Sequence, residues 1–122
     1  MLIAYWILGG VLALTYLMAA GMKLSRTKEK LASSGMGWAE DFSPAAVKGI
    51  GAVELLGAIG LILPPLTHIA PVLAPIAALG LVVVQILAGI THVRRGETKM
   101  LVTDISLAVL ALVVAVIGFM LW

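Results

Sequence analysis

Long apolar runs separated by shorter polar segments dominate the chain. Four runs stand out, over residues 2–22, 45–63, 69–91 and 100–122. Each is close to the ~20 residues with which a helix crosses ~30 Å of hydrocarbon. The runs are too long and too continuous for barrel strands, and lipid demands a backbone that satisfies its own hydrogen bonds. We therefore predict an all-α polytopic membrane protein, whose single domain of residues 1–122 is a bundle of four transmembrane helices.

Prolines interrupt the chain between the second and third runs. Pro64 and Pro65 are predicted to end the second helix, and Pro71 lies near the start of the third. Pro75 falls about one turn into the third helix, where a proline removes a backbone hydrogen bond. We expect Pro75 to kink this helix or to delay its regular start.

Basic residues occur on only one side of the four predicted helices. The loops of residues 23–44 and 92–99 carry all the lysines and arginines except Lys48, which lies just inside the second helix. By the positive-inside rule, both loops are predicted to be cytoplasmic and both termini to lie on the outer side of the plasma (inner) membrane. Residues 26–34 could form a short helix against anionic headgroups or an ordinary solvated connector.

The positions of the aromatic residues are consistent with these predicted helix ends. Tyr5, Trp6 and Trp122 lie at the outer ends of the predicted helices, and Trp38 lies in the first cytoplasmic loop. Such residues are enriched at membrane interfaces. We therefore interpret all four as interface anchors.

Composition narrows the class of protein further. The chain is 62% hydrophobic and 11% charged, and its mean hydropathy is +1.17, which leaves too few charged groups to cover a soluble domain of this size. It has no cysteine, so disulfides and thiol chemistry are excluded, and its two histidines are far apart in sequence. No phosphate loop, metalloprotease motif or catalytic triad is recognisable. We predict no catalytic residue, no metal site and no nucleic-acid partner.

Polar residues inside the apolar runs fall on faces rich in small residues. In membrane bundles such faces mark helix contacts, because small side chains let backbones approach closely. At helical steps of three and four, the polar residues of every run lie on or beside this face, so they should point at one another and not at lipid. Gly57 and Gly60 are predicted to be helix-contact residues. The candidate site consists of six residues: Tyr16, Lys23, Glu54, Gln85, His92 and Asp104.

These six residues form two predicted layers. Lys23 and Asp104, together with the histidine, lie near the cytoplasmic ends of their helices, and we interpret them as interfacial anchors or an ion pair. Tyr16 and Gln85, together with the glutamate, lie about 10 Å further in. Tyr16 and Gln85 are interpreted as packing residues or hydrogen-bond partners.

Two interpretations are open for Glu54 and His92. An ionisable residue at the depth of Glu54 is a candidate functional site, which favours a pocket or proton path that opens to the cytoplasm. The alternative is a polar clasp, in which interhelical hydrogen bonds of roughly 1 kcal/mol each fix the register of the helices.

Three segments resemble the DoxX-like family of small membrane proteins: AAGMKL in the first helix, GIGAVELLGAIGLILP in the second and LAGITHVRRGE at the end of the third. The resemblance implies a four-helix membrane protein, with Lys23, Glu54 and His92 on recurrent polar positions and Asp104 where the family often has an amide or acid. The family is heterogeneous. Its name derives from a subunit linked to thiosulfate:quinone oxidation, and a vertebrate relative assists assembly of nicotinic acetylcholine receptors.

Two functional hypotheses follow from the residues and the resemblance. The first is a non-catalytic membrane protein that binds a partner chain or itself and supports assembly of a complex; the absence of catalytic groups favours it. The second is an accessory subunit of a quinone-linked membrane oxidoreductase, with a quinone or other small ligand bound at Glu54 and His92. The missing cysteines and cofactor ligands argue against redox chemistry of its own. A small transporter is less favoured, since polar groups occupy only one half of the predicted bundle.

Overall fold

Four long helices form most of the chain in the computed structural model, which describes all 122 residues. In chain order, the α-helices are α1 (Leu2–Ser25), α2 (Lys28–Ser33), α3 (Pro44–Thr67), α4 (Leu73–Arg94) and α5 (Leu101–Leu121). Short 3-10 helices cover Gly37–Asp41 and Thr98–Met100. There is no strand, and α1, α3, α4 and α5 (with the 3-10 turn before it) have the length and hydropathy to cross a membrane. The prediction of an all-α bundle of four transmembrane helices is confirmed.

The four long helices pack as two antiparallel hairpins. The most extensive contacts join α1 to α3 and α4 to α5, whereas α3 packs less extensively on α4 and α1 packs least on α5. We call residues 1–67 the first hairpin and residues 73–122 the second hairpin. The helices therefore close a ring in the order α1, α3, α4, α5.

Each long helix buries the face that its small residues predict. The opposite faces carry large apolar side chains such as Ile3 and Val102, which are 76% and 72% exposed. Such a surface suits lipid, which solvates apolar side chains and offers no hydrogen bonds. The predicted face residues that are buried are Gly9, Ala13, Tyr16, Ala20 and Lys23 on α1; Gly51, Glu54 and Ala58 on α3; Ala74, Ala78, Leu81, Gln85 and His92 on α4; and Asp104, Ala111, Ala115 and Gly118 on α5.

Glycines on α3 let this helix approach α4 closely. A Cβ atom at Gly57 would lie 2.6 Å from Cδ2 of Leu81, and one at Gly60 would lie 2.9 Å from Cβ of Ala77. These separations are shorter than carbon atoms tolerate. A larger residue at Gly57 would displace the side chain of Leu81, and one at Gly60 would push the two helices apart, because Cβ of Ala77 cannot move away from its backbone. The helix-contact role predicted for both glycines is confirmed.

Contrary to the prediction, α3 does not end at its paired prolines. It continues through both of them to Thr67, and His68 then follows in the left-handed conformation with φ 58°. Pro65 has no N–H to donate to the carbonyl of Leu61 one turn earlier. The hydroxyl of Tyr5 donates to that oxygen instead, at 2.6 Å. Tyr5 is fully buried, so its prediction as an interface anchor is wrong.

The regular start of α4 is delayed, which is one of the two outcomes that Pro75 predicts. Regular helix begins at Leu73, four residues later than predicted, after a turn in which Ala70 has φ 48°. Pro75 is the third residue of α4, where an amide has no acceptor within the helix. The start is thus delayed. At their other ends, α1 and α4 run to Ser25 and Arg94, about one turn beyond the predicted limits.

The segment between α1 and α3 folds into a cap over one end of the bundle. The hydroxyl of Thr27 accepts a hydrogen bond from the backbone amide of the third residue of α2 and so caps this helix. Leu31, Ala39 and Val47 form a small second core, in which all three are 0–1% exposed. Of the two interpretations of this segment, the short helix is therefore the one that forms. We call residues 27–43 the cap, and we call the end of the bundle that carries all eight lysines and arginines the basic end.

Candidate functional site

Six polar side chains lie buried in the half of the bundle nearest the basic end. Their exposed fractions are between 2% and 7%, and all four long helices contribute to the group. Because the bilayer core offers no hydrogen-bond partners, each polar atom there needs a partner within the protein. We call these residues the polar cluster: Tyr16, Lys23, Glu54, Gln85, His92 and Asp104.

The first contact within the polar cluster joins α1 to α3. Lys23 Nζ lies 2.7 Å from Glu54 Oε1, at an angle that makes the contact an ion pair and not an aligned hydrogen bond. Lys23 lies opposite Gly51, where a Cβ atom would come within 2.9 Å of the lysine Cβ. Helical side chains lean toward the N-terminus of their own helix. Since α1 and α3 are antiparallel, the lysine leans away from the basic end and the glutamate toward it, and the charges meet.

Trp38 covers this ion pair from the cap. The centroid of its ring lies 5.5 Å from Lys23 Nζ, a distance at which an ammonium group is attracted to the face of an indole. Phe42 holds the indole in place through an edge-to-face contact with a centroid distance of 5.6 Å. The sequence predicts Trp38 only as an interface anchor. Its contact with Lys23 depends on the fold of the cap, and no spacing in the sequence indicates it.

The other four residues of the polar cluster form one chain of hydrogen bonds. The hydroxyl of Tyr16 donates to Gln85 Oε1 at 2.6 Å, and Gln85 Nε2 donates to Asp104 Oδ1 at 2.7 Å. The second oxygen of Asp104 lies 2.5 Å from His92 Nδ1. Asp104 lies opposite Gly89, between Gln85 and His92 on α4, so its two oxygens reach both side chains.

A carboxylate only accepts hydrogen bonds, which fixes the direction of the whole chain. The amide nitrogen of Gln85 must face Asp104, so its carbonyl faces Tyr16, which donates. Nδ1 of His92 must carry the proton that it shares with Asp104. The other ring nitrogen of His92, Nε2, takes no part in this chain of hydrogen bonds. Because an amide does not titrate, the chain holds its members in place and gives no proton route from Tyr16 to Asp104.

The contacts run both within the two predicted layers and between them. Tyr16 meets Gln85 within the deeper layer and His92 meets Asp104 within the other, whereas Glu54 and Gln85 reach across to Lys23 and Asp104. Lys23 and Asp104 pair with Glu54 and His92 and not with each other. Lys23 and Asp104 are 6% and 5% exposed, so both are buried and neither lies at the surface as an interfacial anchor would. The lean of each side chain along its helix spans about one turn, which brings partners from different depths together. The prediction that the polar residues face one another is confirmed. The two layers are found in part, since Tyr16 meets Gln85 in the deeper one, but Glu54 pairs with Lys23 of the other layer.

A separate charged contact lies outside the membrane-spanning helices. Arg95 Nη1 donates to Asp41 Oδ2 at 2.7 Å, and its Nε lies 3.3 Å from Glu97 Oε1. The hydrogen bond to Asp41 raises the pKa of Arg95, so the guanidinium stays charged at every working pH. In the sequence Arg95 is only one of the basic residues of the loop 92–99, because Asp41 is 54 residues away and no periodicity links the two.

Two surface grooves lie away from the polar cluster, and no group of three His, Asp or Glu side chains is placed to hold a metal ion. One groove, of about 390 Å³, is polar and lies on the cap beside Lys28 and Glu40. The other, of about 230 Å³, lies between α3 and α4, and we call it the α3–α4 groove. It is lined by Val53, Leu56, Gly57, Ala77, Gly80 and Leu81.

The four apolar helices enclose basic and acidic side chains that pair with one another. This arrangement defines a small all-α integral membrane protein. The family model described as the DoxX-like family matches residues 7–116, which include all six residues of the polar cluster. The chain therefore belongs to the DoxX-like family. No curated protein and no solved structure matches it.

Proposed function

We propose that this chain is a non-catalytic membrane component, which binds a partner membrane protein or a second copy of itself and supports assembly of a complex. The observation that carries this proposal is the internal pairing of the polar cluster. Lys23 is paired with Glu54 and His92 with Asp104, so these charges are occupied in holding the helices in register. A bundle fixed in this way presents defined helix surfaces to other membrane proteins.

The α3–α4 groove supports a helix-binding role. Gly57, Ala77 and Gly80 line it, and small residues are what allow two transmembrane helices to approach closely. Gly80 is exposed, and a Cβ atom there would meet nothing within 4 Å. The space beside Gly80 is therefore open from the lipid side to a side chain of another helix.

Filling the α3–α4 groove should weaken association. We expect Gly80→Leu to reduce the oligomer or the co-purified partner at least about fivefold, because the new side chain occupies the groove while the fold of the chain itself is unchanged. Native mass spectrometry and crosslinking in mild detergent measure the effect. Gly21→Leu is the matched control, since Gly21 is also exposed with nothing within 4 Å of its Cβ position. A wild-type chain that is strictly monomeric, with no co-purifying partner, contradicts the proposal.

We also propose that the basic end faces the cytoplasm and that both termini lie outside, in the plasma (inner) membrane. All eight lysines and arginines lie at the basic end, and the connection of residues 68–72 carries none. Short loops with this asymmetry are retained on the cytoplasmic side during insertion.

A second candidate is an accessory subunit of a quinone-linked oxidoreductase, and one observation favours it. Only Nδ1 of His92 is hydrogen-bonded within the chain, and in the neutral imidazole with its proton on Nδ1 the other nitrogen, Nε2, offers a lone pair. A hydroquinone hydroxyl could donate to it, with Glu54 one helix away. The buried position of both side chains suits a lipid-soluble ligand.

Substitutions in the polar cluster separate the two candidates. If the chain is an accessory subunit of a quinone-linked oxidoreductase, His92→Ala and Glu54→Gln should each lower the affinity for a short-chain hydroquinone at least about tenfold. The thermal stability of both variants should be nearly unchanged. Quenching of tryptophan fluorescence measures binding, and His68→Ala, at the exposed second histidine, is the control. If the variants instead melt or aggregate, the cluster is a structural clasp, because removing one member of a buried ion pair leaves the other unpaired.

A further inference from the structure

Each of the two buried contacts between a basic and an acidic side chain lies within one hairpin. Lys23 and Glu54 belong to α1 and α3 of the first hairpin, and His92 and Asp104 belong to α4 and α5 of the second. The bond from Gln85 to Asp104 is also internal to the second hairpin. Each hairpin therefore supplies a basic partner for its own buried carboxyl group without the other.

Only two side-chain hydrogen bonds join one hairpin to the other. One is the neutral bond from Tyr16 to Gln85 inside the bundle, and the other is the bond from Arg95 to Asp41 at the basic end. Arg95 and Asp41 also form the only ion pair between the hairpins, and their side chains are 24% and 53% exposed. Water and salt therefore reach the one charged contact that holds the hairpins together.

The two edges at which the hairpins meet differ in packing. At the α3–α4 edge, Gly57 lies against Leu81 and Gly60 against Ala77 with no room for a Cβ atom, and residues 68–72 join the two helices covalently. At the α1–α5 edge the contact is the least extensive of the ring, and Tyr5 and Trp122 meet there edge to face, with ring centroids 4.8 Å apart. The α3–α4 edge has the features of a hinge and the α1–α5 edge those of a seam.

We propose that the second hairpin turns about the α3–α4 edge and opens the α1–α5 seam, and that the contact between Arg95 and Asp41 is the latch that keeps the seam closed. Opening separates neither of the two buried contacts between a basic and an acidic side chain, because each moves intact with its own hairpin, and the only buried side-chain hydrogen bond that breaks is the one between Tyr16 and Gln85. The open seam gives a partner helix or a lipid-borne ligand access to the polar cluster.

An exposed ion pair is a suitable latch because it contributes little stability. A tightly held seam would stay closed whatever the salt concentration. The contact between Arg95 and Asp41 instead weakens as salt is added, or when either charge is lost. A partner that offers its own charges to Arg95 or Asp41 would release the latch as it binds. The cap carries Asp41, so the cap and the seam are coupled.

Distances between spin labels test this proposal in the otherwise cysteine-free chain in lipid nanodiscs. The first label pair, Ser34→Cys and Thr98→Cys, spans the latch between the cap and the turn before α5. The second pair, Met18→Cys and Val109→Cys, spans the seam from exposed positions on α1 and α5. Val93→Cys with Val102→Cys is the internal control, since both exposed positions lie in the second hairpin.

Removal of the latch should lengthen two of these three distances. With Asp41→Asn we expect the population at longer separations to rise at least about twofold for both the latch pair and the seam pair, with no change in the control pair. About 1 M salt should act in the same direction, because it screens exposed charges. Glu29→Gln, which removes an exposed cap carboxylate that has no contact with Arg95, should leave all three distances unchanged.

Three outcomes overturn the proposal. If Asp41→Asn and Glu29→Gln give the same distances as the parent chain, the contact is not a latch. If only the latch pair lengthens, the cap lifts by itself and the seam stays shut. If the control pair lengthens as well, the second hairpin comes apart and does not move as a unit.

Discussion

Tyr5 shows how one side chain can replace a backbone donor. The carbonyl of Leu61 loses its usual donor because residue 65 is a proline, and in lipid an unpaired carbonyl is costly. The hydroxyl of Tyr5 makes the missing bond at 2.6 Å, while its ring contacts Trp6 and Trp122 edge to face. α1 therefore supplies the donor that Pro65 removes from α3.

Removing this hydroxyl should destabilise the bundle. We expect Tyr5→Phe to lower the free energy of unfolding by about 1 kcal/mol, because it leaves the carbonyl of Leu61 unpaired. Titration with SDS in mixed micelles measures the change. In a Pro65→Ala background the backbone N–H returns, and Tyr5→Phe should then cost much less. An equal loss in both backgrounds would mean that the ring packing of Tyr5, and not its hydroxyl, is what matters.

The polar cluster shows how much of a site can be recognised from individual residues of the sequence. Glu54 and Gln85 are recognisable in the sequence because a polar group in an apolar helix must face its neighbours. Their partners are not recognisable, since these depend on which helices are adjacent and on the lean of each side chain. Lys23 therefore pairs with Glu54 one turn deeper, and Asp104 bridges two residues of α4.

At the scale of the helices, the sequence predicts faces better than ends. The buried face of α1 follows from the spacing of small and polar residues, because a helix repeats every ~3.6 residues. The end of α3 depends on a donor from another helix, and the start of α4 depends on a turn with positive φ at Ala70. Pro75 indicates a late start of α4 in the sequence, whereas nothing near Pro64 and Pro65 indicates that Tyr5 will supply the missing donor.

The cap illustrates the same limit for a short element. A helix of six residues has little stability of its own, so α2 forms because Leu31 is buried against Ala39 and Val47. Val47 belongs to α3, so a pattern within the short segment of α2 cannot indicate this contact. The sequence thus leaves the choice between helix and connector open, and tertiary packing decides it.

At the scale of the whole molecule, the orientation in the membrane can be tested directly. Since the chain has no cysteine, Ser34→Cys on the cap and His68→Cys at the opposite end each create one labelling site on an exposed residue. In intact cells, an impermeant maleimide should label His68→Cys, whereas Ser34→Cys should react only after permeabilisation, because the basic end is retained inside. The opposite pattern would reverse the proposed topology.

The pairing of charges within hairpins also has a consequence for biosynthesis. Glu54 on α3 emerges from the ribosome after its partner Lys23, and Asp104 on α5 emerges soon after His92. Each helix pair can thus complete its ion pair as soon as its second member is made, before any later helix exists. Two successive insertion steps would then each bring a buried carboxyl group into the bilayer together with its basic partner, which lowers the cost of burying either group alone.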